Sequence, residues 1–120
     1  MSDNQCFALL EKLSKSDNPI IDVLRLDIAL SREQLSSHIK FHRNTIHRWE
    51  VKFMSVPVFY KEYWDGHPRS PLLDSFQIVV LALIASLKEE NKRLNIPSML
   101  RRSVKMLNRN NVKEWLECIR

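Results

Sequence analysis

The chain has 120 residues, of which 44% are hydrophobic, with one glycine and five prolines; that is enough for one core and too little for a second independent domain. Nineteen Lys and Arg against fourteen Asp and Glu give a formal charge of +5, which suits a polyanionic partner. The two cysteines, Cys6 and Cys118, lie near opposite ends without Cys-x-x-Cys spacing, so neither a disulfide scaffold nor a zinc ribbon is indicated.

Scarce glycine together with many Leu, Ile, Lys, Glu and Arg predicts a mainly α fold. Residues 1–30 carry three basic and five acidic groups. Their polar start does not read as a secretory leader. Cys6, Phe7, Leu9, Leu10 and Leu13 recur at helical spacing, and Asp17-Asn18-Pro19 ends that element and opens the next. Residues 20–29 then read as a short apolar helix, although alternation through Val23, Leu24, Leu26 and Ile28 leaves a strand open.

The charge turns positive in residues 31–70, with seven basic and four acidic groups. Ser31 and Gln34 form a capping-box signature, and Leu35 and Ile39 are the inward positions of the helix it opens. Lys40-Phe41-His42 make a tight turn. His42 stands at the cap of a second helix, from Arg43 to about residue 52, with Ile46 and Trp49 inward. Leu35, Ile39, Phe41, Ile46 and Trp49 are thus the apolar set that locks two helices at a steep angle, the helix-turn-helix of residues 31–53.

The aromatics and turn formers of residues 54–70 predict a loop, short hairpin or wing. Ser70-Pro71 is expected to cap a long helix from 71 to about 93, whose apolar middle, residues 78–85, must be buried all round, as a central strut or in a subunit contact. That run is too short for a membrane span, so a soluble, cytoplasmic protein is expected, associated with the nucleoid if bacterial. Asn95-Ile96-Pro97 opens a further helix with Met99, Leu100, Val104 and Leu107 inward. Asn110 or Asn111 caps the last, with Val112, Trp115, Leu116 and Ile119 on one face. The expected layout is one domain: N-terminal helices (1–30), helix-turn-helix (31–53), wing or loop (54–70) and a C-terminal helical bundle (71–120).

Chemistry concentrates on the outward face of the second helix of the pair. Arg43, Asn44, His47 and Arg48 point outward there with Thr45 at the side. Arg can bond both acceptors of guanine, Asn can bond adenine at two points, and Thr offers a hydroxyl and a methyl group. Arg32, Lys40, His42, Lys52 and Arg69 are candidates for phosphate contacts that set register. His38, His42 and His47 lack Cys or acidic partners at ligand spacing, so no metal is expected. Neither a cofactor motif nor a nucleophile with its base is present, so no enzyme is expected.

The stretch from Leu35 to Glu50, with Ile39, Phe41 and Arg43-Asn44-Thr45-Ile46-His47-Arg48-Trp49-Glu50, resembles the helix-turn-helix of bacterial and phage regulators. Lys40 stands where that family usually has glycine, because the turn residue takes positive φ; a side chain there costs on the order of 1 kcal/mol. Over roughly residues 28–107 the layout resembles the winged-helix domain of MerR-type regulators and phage excisionases. The resemblance implies sequence-specific binding of double-stranded DNA by a transcriptional regulator, its second helix in the major groove; a module this small offers few contacts, so a homodimer on two half-sites is expected. An architectural or recombination accessory protein and a protein-interaction adaptor without nucleic acid are the alternatives.

Overall fold

In the computed structural model, which describes residues 20–65 and 70–119, the described residues form helices α1 (Ile20–Arg25), α2 (Arg32–Ile39), α3 (Arg43–Phe53), α4 (Pro57–Trp64), α5 (Ser75–Glu90), α6 (Ile96–Ser103) and α7 (Arg109–Ile119). No strand occurs among them, so the fold is mainly α. The helix expected at residues 6–13, the 17–19 break and residues 66–69 lie outside the described residues.

α5 is the axis of the fold. Every residue from Phe76 to Ala85 is buried, because α1, α2 and α7 pack around it. The apolar run is therefore a central strut covered within one chain, and Trp115 (7% exposed) is buried in the same core. α6 completes the shell by packing on α3 and α4. No helix of the described residues is long and apolar enough to cross a membrane.

Three local expectations are corrected. The segment expected to be a loop, hairpin or wing contains α4, which starts on Pro57 and buries Phe59 and Tyr63 four residues apart. Proline at the first helical position lacks only an N–H that would have no partner there, so Pro57 starts the helix instead of breaking the chain. α5 begins at Ser75, not at Pro71. Leu73 is held extended by an antiparallel bridge to Leu30, and Asp74 and Gln77 then form a reciprocal capping box (2.9 and 3.0 Å). The bridge and the box together outcompete the Ser70-Pro71 signal. At α7 the Asn108 carboxamide accepts the Asn111 N–H at 3.0 Å, so the cap precedes the two asparagines expected to supply it.

Other signals hold. Residues 20–25 are helical and not a strand, Ser31 and Gln34 cap α2 reciprocally, and Asn95 caps α6.

Candidate nucleic-acid interface

α2 and α3 are joined by Lys40, Phe41 and His42, and each residue has a distinct local task. Lys40 takes left-handed geometry at φ 62°, ψ 27°, and its N–H bonds the Ser36 carbonyl. Phe41 packs against Trp49, with ring centroids 4.9 Å apart and planes tilted by 56°. His42 Nδ1 accepts the Asn44 N–H at 3.1 Å, so the imidazole caps α3 and keeps its other nitrogen for an outside partner. Leu35 and Ile46 are fully buried, and Ile39 and Trp49 nearly so.

With those side chains inward, the helical repeat of about 100° per residue turns Asn44, His47, Arg48 and Val51 to one face within about 100° of each other. Arg43, Asn44, His47 and Arg48 are all exposed, and Thr45 is half-buried at the edge. The side chains of Asn44, His47 and Arg48 make no hydrogen bond or ion pair with any described residue. Arg43 has only a 4.0 Å approach to Glu33, with both side chains more than half exposed, which contributes little. Lys40 and His42 flank the start of this face and Lys52 lies near its end, all three exposed. Arg69 lies outside the described residues.

Arg32 does not belong to this set. Its Nε and Nη2 donate to the two oxygens of Glu50 at 2.6 and 3.0 Å, and its Nη1 donates to the Ser70 carbonyl at 2.6 Å. A guanidinium engaged on three sides is a strut between α2 and α3, not the free cation expected to contact phosphate. Glu50 is 4% exposed and also accepts the Tyr63 hydroxyl at 2.7 Å. The hydrogen bond to Glu50 raises the Arg32 pKa further. Burial first, then Glu50, push the Tyr63 hydroxyl well above the ordinary tyrosine range.

Residue-level reading missed this triad, although it left one signal. Glu50 follows Ile46 by four residues and so occupies the apolar stripe of α3, where a carboxylate requires buried partners. Val51 was missed as well: it is 61% exposed amid the polar outward face. Beside that face an open cleft of about 630 Å³ separates His47, Val51 and Met54 of α3 and its cap from Tyr60 and Trp64 of α4. Among the described residues no three His, Cys, Asp or Glu side chains converge as metal ligands would.

No protein-family model, curated protein or solved structure matches this chain.

Proposed function

We propose that the chain binds double-stranded DNA sequence-specifically, with α3 lying in the major groove, and acts as a transcriptional regulator. The observation that carries this reading is the outward face of α3, where Arg43, Asn44, His47 and Arg48 are exposed and not engaged by strong bonds within the described residues. Side chains with paired donors or a donor beside an acceptor match the edges of guanine and adenine in that groove. Lys40 and Lys52 bracket the face and supply charge for phosphates, which fix position without reading sequence. The Arg32–Glu50–Tyr63 triad supports the same task by holding α3 on the body of the protein, so that little ordering remains for the moment of binding. Two copies on half-sites about 34 Å apart would add specificity through symmetry.

The test is titration of a duplex selected from a random library, over a series of salt concentrations, with the wild type and with Arg43→Ala plus Arg48→Ala. Affinity should fall steeply as salt rises. Two lost bidentate contacts should weaken binding at least about 30-fold. Absence of binding at low salt, or equal affinity of the double variant, overturns the proposal.

A further inference from the structure

We infer that Val51 reads the 5-methyl group of a thymine. This rests on the DNA-binding reading above and adds an apolar contact at the centre of the α3 face. Val51 is 61% exposed. It stands one turn beyond His47 and Arg48, and in helical angle it falls between His47 and Asn44. An isopropyl group left in water at the centre of a polar face gains free energy from any apolar surface that covers it. On the floor of the major groove the thymine methyl is the one apolar group a base pair presents.

The helix also gives the spacing. Val51 follows Asn44 by seven residues, and at 1.5 Å per residue it lies about 10 Å further along the axis. Base pairs rise about 3.4 Å along the DNA axis and a helix in the groove runs oblique to it, so the thymine falls at most about three base pairs from the base that Asn44 contacts. Val51 also borders the cleft shared with Tyr60 and Trp64, so a small apolar ligand or a second copy of the chain is the competing occupant.

The experiment starts from a duplex selected from a random library with the wild-type protein. Each thymine is replaced in turn by deoxyuridine, which removes the methyl and leaves every hydrogen-bonding group in place. One position should lose about three- to fivefold in affinity, the effect of one buried methyl. Val51→Ala should lower affinity for the unmodified duplex by a similar factor and be indifferent to deoxyuridine at that position. Its thermal midpoint should match wild type, since the side chain is exposed.

A library that yields no bound duplex overturns the DNA-binding reading itself, and this inference with it. A bound duplex in which no thymine responds, or in which Val51→Ala stays as sensitive as wild type, overturns the inference alone. A Val51→Ala loss that is equal with and without the methyl assigns Val51 to another contact, and so also overturns it.

Discussion

Both oxygens of the Glu50 carboxylate are bonded to Arg32, and one also accepts from Tyr63, so three helices meet on a single buried group. Removing Arg32 or Tyr63 leaves the buried Glu50 carboxylate only partly paired, which costs more than the lost bond contributes. The tyrosine makes this measurable through pH. Its folded pKa lies well above the ordinary value, whereas in the unfolded chain it titrates near 10. Below about pH 10 both states hold the proton and the contribution is complete. Above it the unfolded chain releases the proton first, and stability falls by up to about 1.4 kcal/mol per pH unit until the folded group also ionises. Tyr63→Phe should cost about 1.5–3 kcal/mol at neutral pH through loss of the bond to a charged acceptor, and should remove that share of the alkaline decline. Urea unfolding at neutral pH and at several values above pH 10 checks both; an unchanged alkaline slope in the variant would show that Tyr63 is not its source.

The α2–α3 pair shows how strongly local chemistry specifies an element. A capping box needs only residues three apart, and the inward stripe through Ile46 and Trp49 needs only the helical repeat. Both are present in the sequence. The turn carries a penalty at Lys40, whose φ of 62° suits glycine. Lys40→Gly should raise stability by about 0.5–1 kcal/mol, the left-handed penalty relieved less the extra freedom of glycine in the unfolded chain. The thermal midpoint should rise by roughly 2–4 °C, as scanning calorimetry can measure. A lower midpoint would mean that the lysine side chain is worth more than the backbone relief. α4 was the harder element to read, because Pro57, the aromatics and Asp65-Gly66 resemble a turn-rich segment. The sequence carries one signal for the helix, the four-residue spacing of Phe59 and Tyr63, which puts both aromatics on one helical face where they are buried.

At the scale of the whole molecule, Arg109 joins parts that are far apart in the chain. Its guanidinium donates to the carbonyls of Glu62 and Tyr63 at the end of α4 and to Asp74 at the cap of α5, and it lies 4.9 Å from the Phe76 ring centroid. Arg109→Ala should cost about 2–4 kcal/mol, since it removes charge-assisted bonds and leaves carbonyls to find water. Trp49, Trp64 and Trp115 lie in α3, α4 and α7. Their fluorescence and the far-UV dichroism should therefore lose structure in one coincident transition in the wild type, as a single cooperative core requires. Two separated transitions in the wild type would contradict that single core.

What could be read from neighbours along the chain was the caps at Ser31, His42 and Asn95, the Lys40 turn, the apolar stripe of α3 and the outward display of Arg43, Asn44, His47 and Arg48. Each depends on hydrogen bonds or side-chain spacing within about one helical turn. What could not be read was which distant groups meet. Arg32 looked like a free surface cation until Glu50 and the Ser70 carbonyl were brought to it from 18 and 38 residues away. The Leu30–Leu73 bridge displaced the start of α5, and the apolar run of α5 found its cover inside the chain. Partners at that separation are chosen by how whole helices pack, because burial rewards total apolar area and is indifferent to sequence order. The outward face of α3 is thus a product of local pattern, and its attachment to α2 and α4 comes from the long-range triad behind it.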